Sequence, residues 1–505
     1  MKKRIIIYEL SIIIIYNDSK MANTECGIYC IVSKMPITSH RVIHGLKNLQ
    51  HRGRDSFGVS YQTMEGNIKV EKHQGLVRNL NLLEISSIWM GHVRYSTSTK
   101  MMKYCQPILS SEGDEFSVVH NGNIKDDIWD KVFKNLSSSI IQEYEENKIE
   151  YEEIQENKIE YEEMERKKEK IEMEYDRYDS DTYKLMLLIQ YFRKNGKSVE
   201  YALRYILQHI EGSYCILVQT KKSLYLLRDR YGIKPLSYYR ENNRFIITSE
   251  AESSQYQNIE KGSLYSLDVD TLNFSKIYTL SQKDDSGKKI IKSKRCIFEH
   301  IYFMKENTFF DGVSIKEWRS QIGRKLFLQT HDSFNHLEKS ETIVCGVPSS
   351  GIVYGESFSH CSGFEYKQFL KKKADYPHRT FILPDNTKRI DACRKKYFID
   401  LDIKDKNIIL LDDSVVRGNT MKYLIDFIRD YQPKEVHLLV GCPEIIKPCF
   451  YGVDFPDVEE LIANKLSTSE MKDYFKLDSL TFLDLTSLKD SDSYCSACFD
   501  GSYIF

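Results

Sequence analysis

Between Ile408 and Thr420 the chain reads IILLDDSVVRGNT, with two adjacent acids where four aliphatic residues end. An apolar run of that length predicts a buried parallel strand. Asp412 and Asp413 then lie at its carboxyl end, the edge at which open α/β sheets bind ligands. Met421, Leu424, Ile425 and Ile428 follow at helical spacing, so Ser414 to Thr420 is a strand-to-helix loop. Gly418 would let that loop approach a ligand, and loop amides with a helix N-terminus make an anion site. Two carboxylates beside such a cradle suit a sugar phosphate, its ribose hydroxyls and magnesium facing the acids. A plain strand end with two solvated acids is the alternative, but a mere turn does not need this order of residues.

A second set of residues lies upstream: Cys26-Gly27, HRGRD (51–55), GHVRYST (91–97), HNGN (120–123) and SDT (180–182). A cysteine freed at a chain terminus has an α-amine beside its thiol. That amine titrates near pH 8 and can act as the general base without a histidine. The Asn121 side chain and the Gly122 backbone N–H can form an oxyanion hole. Arg94 suits the carboxylate of a free amino acid, and Asp181 its ammonium. Singly, each has a blander reading: Asn-Gly is usually a turn and an isolated cysteine usually core.

The elements that must carry these residues are legible in the patterning. At 505 residues, two domains are expected. The 72 basic and 73 acidic residues nearly cancel, which argues against a nucleic-acid partner. Twelve scattered cysteines suit a reduced, cytoplasmic setting with metal or catalytic thiols. From Cys26 to about Tyr278, runs such as GIYCIV, SVVH, SYCILV, LYLL and FIIT read as strands. His40 to Gln50 and two stretches within 184–208 read as helices, giving a layered α+β domain. Residues 143–174 form a low-complexity Glu/Lys-rich insert, read as a solvated helix or helical hairpin. Residues 279–295 are a polar linker. From 296 to 505, strands at Thr342, Ile408 and Val436 alternate with helices, which gives a parallel, Rossmann-like sheet.

Residues 1–25 open with Lys2, Lys3 and Arg4 before an apolar run interrupted by Glu9. No small-x-small cleavage site follows, and the run is too short to span a membrane. The expectation is a leader removed before function, or Met21 as the true start.

In this order the upstream motifs resemble the amino-terminal-nucleophile glutaminase domain of class II glutamine amidotransferases. With the phosphoribosyltransferase signature downstream, the chain resembles the amidophosphoribosyltransferase family from Cys26 to Tyr503, the insert excepted. Further segments carrying the resemblance are RDRYGIKPL (228–236), CIFEHIYF (296–303), VPSSG (347–351), RTFI (379–382) and KPCFYG (447–452). The resemblance implies an αββα glutaminase domain followed by a type I phosphoribosyltransferase domain. It implies glutamine hydrolysis, ammonia passing internally to phosphoribosylpyrophosphate, and formation of 5-phosphoribosylamine in the first committed step of purine synthesis.

Carried onto this sequence, Cys26 is the nucleophile, Asn121 and Gly122 stabilise the oxyanion, and Arg94 and Asp181 hold glutamine. Ser350, Asp412 and Asp413 match magnesium positions. Ser414, Val415, Val416, Arg417, Gly418, Asn419 and Thr420 hold the 5-phosphate, with Lys373 and Arg379 near the diphosphate. Cys296, Cys449, Cys495 and Cys498 match the contexts of the cluster ligands in the iron–sulfur branch, which implies a structural [4Fe–4S] cluster. Zinc, or no metal, is the alternative there. Purine nucleotides are the implied feedback inhibitors and a homo-oligomer, dimer or tetramer, the implied assembly. Departures are Arg54 for Gln, Ser349 for Asp, Tyr183 for Glu, and a poorly matched loop over 390–406. A decayed paralogue, or a sensor that only binds phosphoribosyl nucleotides, is the competing expectation.

Overall fold

In the computed structural model the described residues are 26–80, 82, 84–95, 102–110, 115–136, 180–280, 292–373, 396–453, 455, 457–488 and 493–505. The expected leader and the 143–174 insert lie outside them, as do Arg379, residues 281–291 of the linker and 390–395 of the poorly matched loop.

The strand Gly27–Thr38 shows why the first domain is layered. Its side chains alternate, as a pleated strand requires. Ile28, Cys30 and Val32 turn inward to meet Val119, Cys215 and Leu217 of a second sheet. Ile31 turns outward onto the helix His40–Asn48, whose Val42, Ile43 and Leu46 share a core with Trp89 and Val93. The first sheet has seven antiparallel strands, with Gly27–Thr38 between Arg244–Thr248 and Ile85–Arg94. The second has six, with Phe116–Asn123 and Ser213–Gln219 paired near its centre. Helices Asp181–Lys194, Val199–His209 and 126–136 cover its outer face. Ser198 caps the second of these by accepting from the Tyr201 N–H. The layers are therefore helix, sheet, sheet, helix, as expected.

The main sheet of the second domain has five strands in the spatial order Glu365–Tyr366, Thr342–Gly346, Asn407–Asp412, Glu435–Val440 and Ser479–Phe482. All four pairings are parallel. The order reverses direction between Thr342–Gly346 and Asn407–Asp412, so a topological switch point falls there. Ile408, Ile409, Leu410 and Leu411 are fully buried, which is why that strand reads as a continuous apolar run.

Two short elements join the domains. Arg295–Cys296 pairs in parallel with Tyr494–Cys495 near the carboxyl end, setting Cys296 opposite Cys495. A single wide helical turn, Glu299–Phe303, follows. Among the described residues no helix is long and apolar enough to cross a membrane.

Candidate active sites

Cys26 is buried immediately before the first strand. Arg94, at the end of the neighbouring strand, is within electrostatic reach of it. Burial lowers the guanidinium's pKa, and charge on the Cys26 thiol opposes that. Arg94 Nη1 has no hydrogen-bond partner, and its Cζ lies 5.6 Å from the Tyr104 ring centre. Tyr183 meets Tyr104 edge-on at 6.2 Å, so this departure from the family pattern backs the ring against which Arg94 rests.

Asn121 is fully buried, and neither its Oδ1 nor its Nδ2 has a partner. A buried polar group left unmade costs about 1–3 kcal/mol, a cost that hydrogen bonding to a ligand would recover. Gly122 beside it has φ +144°, and a Cβ there would fall 1.9 Å from Ser213 O. Only glycine fits. Asp181 opens the helix Asp181–Lys194, where its oxygens accept from Trp129 Nε1 at 2.9 Å and from the Ile124 N–H at 3.0 Å. Burial raises its pKa to about 6, against those hydrogen bonds. Each oxygen keeps a lone pair for an ammonium group. Burial also lowers His92 to about 3 and His120 to about 4, so both rings are neutral at physiological pH.

In the second domain the switch point brings two loops together. Asp413 accepts from the Ser350 hydroxyl and, at 2.5 Å, from that of Ser414. The Asp413 N–H donates to Asp412 Oδ1 at 2.9 Å. Burial pushes the Asp412 carboxyl well above its usual range, and the neighbouring Asp413 charge adds to it. The expected phosphate loop ends sooner than the sequence suggested, because Asn419 and Thr420 are already in the helix Asn419–Arg429. Gly418 caps that helix at φ +76°, and a Cβ there would fall 2.3 Å from Ile462 Cδ1. Backbone conformation and packing therefore both demand glycine at this position. Val415 is buried, Val416 O accepts from the Ile462 N–H at 3.0 Å, and Arg417 Nε binds Glu460 at 2.7 Å.

Cys296, Cys449, Cys495 and Cys498 line one pocket whose other walls include Ile233, Phe298, Tyr451 and Phe455. Burial pushes the Cys495 thiol up to about 12, with Cys449 adding, and raises Cys498 well above the usual thiol range. Among the described residues no three His, Cys, Asp or Glu side chains close on a single-ion point. One zinc ion would need its four sulfurs each about 2.3 Å away.

The matching family models are a glutamine amidotransferase domain over residues 153–254 and a phosphoribosyl transferase domain over 314–448. The amidophosphoribosyltransferase of Methanothermobacter thermautotrophicus is 30% identical over 501 residues, covering 95% of this chain and 94% of that protein. The chain belongs to the amidophosphoribosyltransferase family. The relative from Methanocaldococcus jannaschii is 29% identical, over 95% of this chain and 97% of its own. Among solved structures, the glutamine phosphoribosylpyrophosphate amidotransferase of B. subtilis, complexed with ADP and GMP, matches with a TM-score of 0.72 and 25% identity. That match covers 95% of this chain and 97% of the other.

Membership in the family does not by itself point to two groups that the structure brings forward. Lys372 Nζ donates to Ser349 Oγ at 3.2 Å and feels both Asp412 and Asp413. Burial, with Lys396 adding, lowers Lys372 to about 8. The adjacent Lys373, expected near the diphosphate, donates its backbone N–H to Lys396 O at 2.8 Å. The second group is a buried ionic network around Arg52, Glu250 and Glu299, whose members are up to 247 residues apart.

Proposed function

We propose that this amidophosphoribosyltransferase makes 5-phosphoribosylamine from glutamine and phosphoribosylpyrophosphate, with Cys26 as the nucleophile. The mechanism needs a free α-amine on Cys26, so residues 1–25 are removed first. The amine takes the thiol proton, and the thiolate adds to the side-chain amide carbon of glutamine. The Asn121 amide and Gly122 N–H hold the oxyanion, while Arg94 and Asp181 hold the amino-acid end. The α-ammonium returns its proton to the departing nitrogen, which leaves as ammonia. Water then cleaves the thioester and releases glutamate. Ammonia reaches the second domain and attacks carbon 1 of the ribose, from which pyrophosphate departs.

Asp412, Asp413 and Ser350 would hold magnesium, which supplies charge neutralisation for the diphosphate. The loop Ser414–Thr420, with Lys373, Arg379 and the Lys372 ammonium, holds the phosphates. Cys296, Cys449, Cys495 and Cys498 would hold a [4Fe–4S] cluster that ties the start of the second domain to its carboxyl end. The donor set supports that reading: the four thiols line a single pocket, and four thiolates suit such a cluster. The B. subtilis protein is complexed with ADP and GMP, which supports purine nucleotides as regulators of this chain; a homo-oligomer is the assembly proposed with them.

The observation that carries the reading is Asn121, a fully buried amide with no protein partner on the strand that ends in the oxyanion-hole glycine. A ligand sensor would have no use for that unsatisfied group. Protein purified without oxygen and lacking residues 1–25, given both substrates and magnesium, releases glutamate and pyrophosphate. Release of neither would contradict the assignment.

A further inference from the structure

Arg52 is almost wholly buried, and its Nε donates to the Cys26 carbonyl oxygen at 2.9 Å. Its other two nitrogens grip Glu299 at 2.8 and 2.9 Å, and Nη1 also reaches Glu250 at 2.7 Å. Glu299 belongs to the wide turn three residues beyond Cys296, in the transferase domain. Lys234 Nζ lies 3.5 Å from Glu299 Oε1 and 3.4 Å from Gly452 O. Gly452 abuts the other half of the glutaminase site, since a Cβ on it would be 3.3 Å from the Gly122 carbonyl carbon. Two residues earlier, Phe450 O accepts from Asn123 Nδ2 at 2.9 Å.

Arg52, Glu299 and Lys234 thus run from the nucleophile's backbone, through the second domain, to the oxyanion-hole backbone, with Glu250 as a side branch on Arg52. Buried ion networks are poor sources of stability, because apolar residues of the same shape often do as well or better. A fork-shaped arginine held at both ends does, however, fix position closely.

We propose that Glu299 and Lys234 are positioning residues of the glutaminase site, aligning Cys26 with Asn121 and Gly122 only when the transferase domain is docked. The inference rests on the glutaminase roles proposed for those residues. Misplacement of a reacting group by 1 Å can cost of the order of 10²-fold in rate. Glu299→Ala and Lys234→Met should lower glutamine-dependent kcat by about that factor. They should leave the KM for glutamine near its original value and preserve pyrophosphate release driven by added ammonium chloride. Glu299→Gln, of nearly equal volume, guards against misfolding of the alanine variant and should show a smaller loss of the same kind. Alkylation of Cys26 by a chloroketone analogue of glutamine should slow in parallel. An equal loss with both nitrogen sources, or an unchanged glutamine-dependent rate, would overturn the proposal. If the unmutated protein releases pyrophosphate with neither nitrogen source, the transferase reading fails, while the alkylation rate still tests the positioning.

Discussion

The two candidate sites solve the problem of holding reactive groups in opposite ways. The glutaminase groups stand on or beside antiparallel strands whose registers are fixed by both neighbours. Its histidines are neutral, and its buried amide already lacks a partner. The transferase groups stand on loops beyond a parallel sheet, crowding two carboxylates and Lys372 into one place. The first site is organised before substrate arrives. The second carries a buried acid pair in which burial and the Asp413 charge hold the Asp412 carboxyl well above its usual range.

That contrast can be broken by substitutions that should separate the two activities. Cys26→Ala should abolish glutamine-dependent turnover, a loss of at least about 10³-fold, while ammonia-dependent pyrophosphate release persists. Loss of both would mean that the sites are not separable. Asp412→Asn should lower turnover with either nitrogen source by roughly 10²–10³-fold, and extra magnesium should recover part of it. Glutamine-only hydrolysis should be spared. Asn121→Ala should reduce glutamine-dependent kcat by about 10²–10³-fold, with KM little changed, if its amide meets the oxyanion only in the transition state. A change confined to KM would assign it to ground-state binding instead.

The smallest effect is one of pH. Burial raises the Asp181 carboxyl to about 6, so its ionised form is lost as pH falls through that value. The KM for glutamine should therefore rise about tenfold per unit below pH 6 while that for phosphoribosylpyrophosphate does not follow it. A KM for glutamine that is flat down to pH 5 would remove Asp181 from the ammonium site.

Much of this was legible in the sequence wherever chemistry and periodicity coincide locally. Ile408 to Asp413 announces its strand, its burial and its acids within six residues. The alternation in GIYCIV likewise foretells a strand with two covered faces. Lys372 escaped because it and Lys373 are adjacent and chemically identical. Only the geometry of the short strand Leu370–Lys372 decides which ammonium faces the acids. Gly418 stands out in the sequence, but its packing does not, since the Ile462 and Phe475 side chains against which it lies come from distant sequence. The Arg52–Glu299 contact is beyond local reading altogether, because no periodicity relates two residues 247 positions apart.

The central claim is that one chain makes ammonia at Cys26 and consumes it beside Asp412 and Asp413. Its most direct test is the ratio of glutamate to pyrophosphate released with both substrates saturating. The account predicts equal amounts. Glutamate released in large excess, or at a rate unaffected by phosphoribosylpyrophosphate, would contradict it.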